Sequence, residues 1–357
     1  MARIYQIHLR QFMVRNDYNN SFKNLREFPI EFLDYLQSLG FSYLWLMGVW
    51  QLPTDLRQLD FSFQNFPNVS RDKLIPSVFA IDSYNIDQNL GSLDDYLFVK
   101  QEANKRGIKI ILDFIPNHFG IFSSFTQTNP EIFLKIRNEF QSGRDPNYPA
   151  WLDTAQLDYS KQITRDFMAK QLLNISKICD GVRVDMAMLL LNSVFEKTWS
   201  FKIENQKEFW SESLSALKKF KTDFVTIAEC YWDLEPRLIE LGFDYVYYKP
   251  FLDQLVSNQP LNTKTEGINQ INQKLVCFLE NHDEKRSASI WQGETLKNKI
   301  NLLVQAKGIG LYYHGQLEGN LIRTPIQLIQ TPLEETNRVI KNYYLEKFRE
   351  TSYIDKT

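Results

Sequence analysis

Residues 92–118, SLDDYLFVKQEANKRGIKIILDFIPNH, contain one complete helix-and-strand unit. Ser92, followed three residues later by Asp95, is typical of a capping box at a helix N-terminus. Apolar residues then recur at helical spacing, and Gly107 stands where a helix commonly ends. The next residues, Ile108–Asp113, are rich in β-branched side chains and predict a strand that stops at a carboxylate.

The same alternation of helical and strand patterns recurs along most of the chain. Eight strand candidates, most of them followed by a helical pattern, favour an α/β fold of the (β/α)8 TIM-barrel type. An open doubly wound sheet is the alternative, because periodicity does not distinguish the two. The seven further strands are predicted at Ile4–Ile7, Tyr43–Met47, Gly181–Asp185, Phe224–Ala228, Phe243–Tyr247, Leu275–Leu279 and Ile309–Tyr313.

Two polar stretches interrupt this rhythm. The asparagine-rich residues 16–24 predict a loop, and residues 119–160 carry turn signals such as Asn129-Pro130. Because a structureless loop of that length is uncommon, we expect a short inserted subdomain after strand three. The predicted domains are a discontinuous barrel, 1–118 and 161–357, with the insertion at 119–160. Glu334–Arg349 predicts the last barrel helix, and the few residues after it leave no room in this chain for a C-terminal β-sandwich, which the protein either lacks or carries outside this sequence.

Composition and charge exclude several classes of partner. The net charge is −2 and the basic residues form no stripe, so nucleic acid is not an expected partner. The three cysteines are widely spaced and favour free thiols in a reducing compartment. We see no signal-peptide pattern at the N-terminus and no apolar run near the roughly 20 residues that span a bilayer. The expectation is a cytoplasmic protein without a membrane partner, with its oligomeric state left open.

Charged, amide and imidazole side chains follow four of the predicted strands. Taken singly, a strand-end aspartate is more often a turn former, and a lone histidine is more often structural. Four clusters at the same strand ends predict a site, because the carboxyl ends of barrel strands form the reactive face. The clusters are Asp113 to His118, Arg183 to Asp185, Glu229, and Glu280 to Asp283.

These four segments resemble, in order and position, the four signature motifs of the α-amylase superfamily, glycoside hydrolase family 13. Phe79–Asp87, Leu157–Tyr159 and Tyr312–Gln316 resemble further family segments, and the resemblance covers roughly residues 1–325. It implies a retaining α-glycosidase that cleaves α-glucosidic bonds of α-1,4-linked gluco-oligosaccharides through a covalent glycosyl-enzyme. A transglycosylase or a sucrose- or trehalose-converting enzyme is the first alternative. A non-catalytic barrel used for binding is the second.

The resemblance also implies a role for each matching residue. Asp185 would be the nucleophile, Glu229 the general acid and base, and Asp283 the third acid that grips sugar hydroxyls. Arg183 lies two residues before Asp185 on the same face of a strand, where it would keep the nucleophile ionised. Asp113 and Asn117 would brace the site. The substrate-binding candidates are His118, His282, Arg183, Phe79, Tyr84 and Trp232, with Trp50, Tyr231, Gln316, Glu318 and Arg323 as further candidates.

The retaining mechanism makes a geometric demand on the two catalytic carboxyl groups. They should lie roughly 5–5.5 Å apart, so we expect Asp185 and Glu229 to flank a single sugar ring. No metal ligand set is predicted and no cofactor is expected. Calcium would fit the family, but the acidic residues of the insertion do not form a recognisable calcium-binding pattern. Those residues are Glu131, Glu139, Asp145 and Asp153.

Overall fold

The structure, a computed structural model, describes residues 2–14, 21–54, 66, 69–204, 207–261 and 266–354. Its centre is a closed barrel of eight parallel strands. The loop prediction at 16–24 lies outside the described residues from 16 to 20. The strands are β1 (Arg3–His8), β2 (Tyr43–Met47), β3 (Lys109–Phe114), β4 (Gly181–Val184), β5 (Val225–Ala228), β6 (Tyr245–Tyr247), β7 (Leu275–Phe278) and β8 (Ile309–Tyr313).

Each strand pairs with the strands before and after it in the chain, and β1 closes the ring by pairing with both β2 and β8. Tyr5, for example, is in register with Leu44 on one side and Tyr312 on the other. An open sheet would leave β1 and β8 without that shared edge. The predicted TIM barrel is therefore confirmed, and the open doubly wound sheet is wrong.

At least one helix follows every barrel strand. The principal helices are α1 (Ile30–Ser38), α2 (Leu93–Lys105), α3 (Gln162–Ser176), α4 (Phe209–Phe220), α5 (Glu235–Glu240), α6 (Lys249–Val256), α7 (Gly293–Val304) and α8 (Arg338–Ile354). Shorter α-helices cover Leu9–Val14, Phe125–Thr128, Asn192–Trp199, Glu266–Gln270 and Ser287–Ile290. Single 3-10 turns cover Leu25–Glu27, Arg71–Lys73, Pro130–Ile132, Ala187–Leu190 and Asn272–Lys274. Across the described part of the chain, no helix combines the length and apolar character that crossing a membrane requires.

Helix α2 has the start and the end that its sequence predicts. The Ser92 side chain accepts a hydrogen bond from the Asp95 backbone N–H, and the Asp95 carboxylate accepts one from the Ser92 N–H. Gly107 follows the helix at a φ of +72°, the left-handed conformation that glycine adopts at little cost. The last helix differs from its prediction. It begins at Arg338 because the Asn337 side chain caps the N–H of Ile340.

The segment after β3 carries two small antiparallel ribbons. His118–Gly120 pairs with Thr154–Gln156, and Lys135–Ile136 pairs with Glu139–Phe140. The first ribbon ties the start of the segment to its end, directly beside His118. The division of the chain into barrel and insertion stays a prediction. One further ribbon joins Trp50–Gln51 to Ser83–Ile86.

The barrel strands are buried on both faces, as expected for a parallel sheet covered by helices. Their pairing sets which side chains meet at the carboxyl ends. Arg183 of β4 is in register with Asp113 of β3 and with Ile227 of β5, two residues before Glu229. Three of the four polar clusters therefore lie on adjacent strands.

We predict that Gly308→Ala destabilises the barrel at the entrance to β8. A Cβ atom at residue 308 would lie 2.0 Å from the Leu275 carbonyl oxygen, so the backbones of β7 and β8 would have to separate. Overpacking of this kind costs about 1–3 kcal/mol. Calorimetry should show a lowered melting temperature. Gly267→Ala is the control, because the added methyl there meets a proline ring at 3.2 Å rather than a backbone oxygen at 2.0 Å. Equal melting temperatures for Gly308→Ala and Gly267→Ala would contradict the prediction.

Candidate active site

A single buried guanidinium joins the nucleophile candidate to the acid/base candidate. The Arg183 side chain is 1% exposed, and its Nη1 lies 2.6 Å from Asp185 Oδ1. Its Nη2 lies 2.6 Å from Glu229 Oε2, on the neighbouring strand. The two carboxylates are therefore one guanidinium apart at the carboxyl end of the barrel. The contact between Arg183 and Asp185 agrees with their spacing of two residues, which puts both side chains on one face.

Aromatic rings enclose the Arg183 guanidinium. Its central carbon lies 5.2 Å from the ring centroids of Trp45 and Phe79 and 5.7 Å from that of Tyr247. The ring faces attract the cation and keep water away from it. A buried charge is tolerated only where it is paired. Because the rings exclude water, the carboxylates are the groups that offset the charge of Arg183. Trp45 and Tyr247 carry no motif signal and escaped the sequence analysis.

The Glu229 carboxylate is held from three directions. Besides Arg183, the backbone N–H of Met186 donates to Oε2 at 2.8 Å, and the Tyr231 hydroxyl donates to Oε1 at 2.8 Å. Met186 adopts a left-handed conformation, with φ of 44°, which is uncommon for a residue with a side chain. This conformation accompanies the donation of the Met186 N–H to the carboxylate, so the loop after β4 helps to fix a group carried by β5.

Burial and charge shift the pKa of all three acids. Burial raises the pKa of Asp185 and of Glu229, and the Arg183 guanidinium opposes both shifts. The negative charges of Asp185 and Asp283 raise the pKa of Glu229 further. Loss of hydration raises the pKa of Asp283 as well, although half of its side chain is exposed. The charge of Asp283 also raises the pKa of Asp185, so Glu229 differs from Asp185 in having one more negative neighbour.

The residues after β7 place a neutral imidazole beside the third acid. His282 Nε2 lies 3.1 Å from Asp283 Oδ2, and burial lowers the pKa of His282 to about 3. The Gln6 amide nitrogen is 2.8 Å from His282 Nδ1. With the amide as donor, the ring hydrogen is on Nε2, the nitrogen that faces the Asp283 carboxylate. The Phe79 ring lies beside the imidazole, with centroids 5.2 Å apart.

The two residues predicted to brace the site, Asp113 and Asn117, form hydrogen bonds with other protein groups. Asp113 Oδ1 accepts from Trp45 Nε1 at 3.1 Å, and Oδ2 accepts from the Gly48 N–H at 3.4 Å. The Asn117 amide donates to Gln156 Oε1 at 3.1 Å. These contacts anchor β3 to the elements around it. Within the described ranges, no group of three or more His, Cys, Asp or Glu side chains could hold a metal ion.

His118 lies on the first ribbon of the segment after β3, and its side chain forms a hydrogen bond with the backbone of Phe79. It is buried, and its ring centroid is 5.3 Å from that of Trp151. Burial lowers its pKa to about 4, so the ring is neutral near pH 7. Its Nδ1 lies 3.3 Å from the Asn117 amide nitrogen. The substrate role of His118 stays a prediction.

The structure separates the aromatic candidates. The Tyr84 hydroxyl donates to the Ile115 carbonyl at 2.9 Å and accepts from the Ile115 N–H at 3.0 Å, so it is occupied by the backbone. The Trp50 indole donates to the Asp113 carbonyl at 2.7 Å. Trp232 is 38% exposed, on the loop that follows β5. Of these candidates, Phe79 is the one that contacts both Arg183 and His282.

The candidates after β8 also take different positions. Gln316 is buried and donates to the Tyr344 hydroxyl at 2.9 Å. Glu318 is buried, 3.1 Å from Lys341 Nζ. Arg323 is exposed and its Nη1 donates to the Asp283 carbonyl. Arg323 therefore stands at the rim of the site, while the other two support the loop.

Comparisons with known proteins relate this chain to α-amylases. The model of the α-amylase catalytic domain matches residues 29–148. Alpha-amylase 3 of Dictyoglomus thermophilum is 24% identical over 349 residues, covering 88% of this chain and 64% of the relative. Glucan 1,6-alpha-glucosidase of Streptococcus dysgalactiae subsp. equisimilis is 36% identical over 152 residues, covering 43% of this chain and 23% of the relative.

A solved structure supports the same fold. The crystal structure of a noncanonic maltogenic alpha-amylase AmyB from Thermotoga neapolitana has a TM-score of 0.71 at 21% identity, covering 98% of this chain and 76% of that chain. Residues 29–148 of the chain are thus similar to the α-amylase catalytic domain, and the whole chain shares the fold of a solved α-amylase. The chain spans less than two thirds of the length of either curated relative above.

We predict that Asp113→Asn changes the pH dependence of stability. Burial raises the pKa of Asp113 to about 7, from about 3.9 in the unfolded chain. The folded wild type therefore binds the proton more tightly and loses stability as the pH rises from 4 to 7. Asparagine cannot ionise, so the variant does not lose this stability. The free energy of unfolding of Asp113→Asn minus that of the wild type should therefore rise by a few kcal/mol from pH 4 to 7, at about 1.4 kcal/mol per unit of pKa shift.

Urea denaturation between pH 4 and 8 measures this difference. Asp72→Asn serves as the control, because that carboxylate is on the surface and its pKa is lowered by hydrogen bonds to Ser70 and Lys73. A flat or falling Asp113→Asn difference over the interval would show that Asp113 titrates at its ordinary pH.

Proposed function

We propose that the protein is a retaining α-glycosidase that hydrolyses α-glucosidic bonds of α-1,4-linked gluco-oligosaccharides. The observation that carries this proposal is the Arg183 guanidinium, 2.6 Å from both Asp185 and Glu229. Two carboxylates on one cation, at the reactive end of a barrel, match the close pair that a retaining mechanism uses. The match of residues 29–148 to the α-amylase catalytic domain supports the choice of an α-glycoside.

In the first half of the proposed reaction, Glu229 gives its proton to the glycosidic oxygen while Asp185 attacks the anomeric carbon. The bond to the leaving sugar breaks, and a covalent glycosyl-enzyme forms on Asp185. In the second half, Glu229 takes a proton from water, which attacks the same carbon and releases Asp185. The raised pKa of Glu229 suits it to both roles, since the group must hold and then accept a proton.

The residues around the pair supply binding in this proposal. His282 is neutral and can donate from Nε2 to a sugar hydroxyl, and Asp283 can accept from another. Phe79 offers a flat apolar face above Arg183 and beside His282. Buried donors and acceptors matched to hydroxyls select strongly, because a ligand that lacks the hydroxyl leaves them unpaired.

A second candidate shares the intermediate and differs in the bond cleaved or in the acceptor. The local identity of 36% to a glucan 1,6-alpha-glucosidase favours testing α-1,6 bonds alongside α-1,4 bonds. A transglycosylase or a sucrose- or trehalose-converting enzyme would pass the same glycosyl-enzyme to a sugar rather than to water. The Arg183 pair serves either outcome, so the products decide between them.

We predict that the protein releases sugar with the α configuration from maltose, maltotriose or starch. Asp185→Asn and Glu229→Gln should each lower kcat by about 10²–10⁴-fold, because each removes a group that acts in the transition state. Isomaltose, sucrose and trehalose complete the substrate panel, with products followed by NMR at early times. Lengthened or rearranged sugars in place of free glucose would identify the transferase alternative.

Asp94→Asn, in the exposed first turn of α2, is the matched control and should leave kcat unchanged. Initial release of the β anomer would overturn the retaining assignment. Undiminished turnover by Asp185→Asn would overturn the catalytic site itself.

A further inference from the structure

The two oxygens of the Glu229 carboxyl group have different neighbours. Oε2 faces two nitrogen donors, Arg183 Nη2 at 2.6 Å and the Met186 N–H at 2.8 Å. Neither donor can accept a hydrogen bond. A proton on Oε2 would point at one of them, so the neutral form of Glu229 carries its proton on Oε1.

Oε1 has a neighbour of another kind. The Tyr231 hydroxyl donates to it at 2.8 Å, from the loop that begins directly after β5. A hydroxyl oxygen of a carboxylic acid can accept one hydrogen bond while it donates another. With Tyr231 on one side of Oε1, the proton of Glu229 is directed to the remaining side.

The contact between Tyr231 and Glu229 gains strength when Glu229 loses its proton. A hydrogen bond to a carboxylate is roughly twice as strong as one to a neutral acid, so the Tyr231 hydroxyl favours the ionised form of Glu229. Tyr231 can keep its own proton in this contact, because burial raises its pKa far above the ordinary value. Arg183 and Met186 bind Oε2 in either state.

We propose that Tyr231 is a positioning residue for Glu229: its hydroxyl holds the carboxyl oxygen that carries the transferable proton and stabilises that oxygen after the proton has left. This inference rests on the proposed function for its catalytic meaning. The hydrogen-bond arrangement on which it depends is a property of the folded protein alone.

The loop that carries Tyr231 is shaped to present it. Trp232 and Asp233, the next two residues, both have positive φ values, of 65° and 59°. The chain therefore turns sharply immediately after Tyr231. The Tyr231 side chain returns to the carboxylate two residues earlier, while the Trp232 side chain is 38% exposed.

The test measures the titration of Glu229 directly. Protein labelled with [5-¹³C]glutamate gives a carboxyl signal for each glutamate, and the signal missing in Glu229→Gln assigns Glu229. Tyr231→Phe removes the donor and should raise the midpoint of the Glu229 titration by about one pH unit, the size of a hydrogen bond to a charged group. Tyr43→Phe, at the opposite end of the barrel on β2, should leave the midpoint unchanged.

A second variant tests the same claim in the opposite direction. 3,5-Difluorotyrosine at position 231 keeps the size of the ring and makes the hydroxyl a stronger donor. The midpoint of Glu229 should then fall. Thermal unfolding of both variants confirms that they are folded at the pH values used.

Kinetics extend the test to catalysis. For maltose, the alkaline limb of kcat/KM should move to higher pH in Tyr231→Phe by the same amount as the titration. An unchanged or lowered Glu229 midpoint in Tyr231→Phe would overturn the proposal. If the wild type cleaves no α-glucoside, the proposed function fails, while the titration still upholds or overturns the role of Tyr231.

Discussion

The site depends on one buried cation shared between two acids. Arg183 is surrounded by aromatic rings, and its two terminal nitrogens each lie 2.6 Å from a carboxylate oxygen. Asp113 lies 3.9 Å from the same guanidinium. One positive charge cannot offset three buried negative charges, so the cluster is stable when it retains protons. Asp185 and Glu229 are both paired with this cation, so their different proposed roles depend on the other groups around each carboxylate.

Much of the fold could be predicted because local and long-range signals agree. The ends of each barrel strand lie within two residues of the predicted ends. Short β-branched runs between helix caps and glycines form strands in an α/β chain, which made these elements predictable. The capping box at Ser92 and the glycine at 107 show this agreement in one unit. The predicted start of helix α8, Glu334, is four residues before the observed start at Arg338, because Asn337 caps the helix. The four strand-end clusters contain the acids of the candidate site. They could be predicted together because the barrel brings the carboxyl ends of all its strands to one face.

What sequence reasoning could not supply is how the strand ends meet in space. Trp45 and Tyr247 enclose Arg183, and the Met186 N–H holds Glu229, yet none of the three carries a pattern that marks it. Tyr231 is predicted as a candidate for sugar contact, whereas the structure directs its hydroxyl to the Glu229 carboxyl group. Tyr84 shows the reverse, because both hydrogen bonds of its hydroxyl go to the backbone of Ile115. Aromatic residues have several uses, and contacts in the folded chain distinguish among them.

The most direct test of the shared-cation account asks on which side of the sugar each carboxylate acts. Glu229→Ala and Asp185→Ala can each be supplied with azide and an α-glucosyl fluoride, whose leaving group needs no acid. Azide should replace water in Glu229→Ala and give the α-glucosyl azide, because the glycosyl-enzyme on Asp185 still forms. In Asp185→Ala, azide should take the place of the missing nucleophile and give the β-glucosyl azide from the α-fluoride. The same anomer from both variants, or the reverse assignment, would contradict the roles proposed for the two acids.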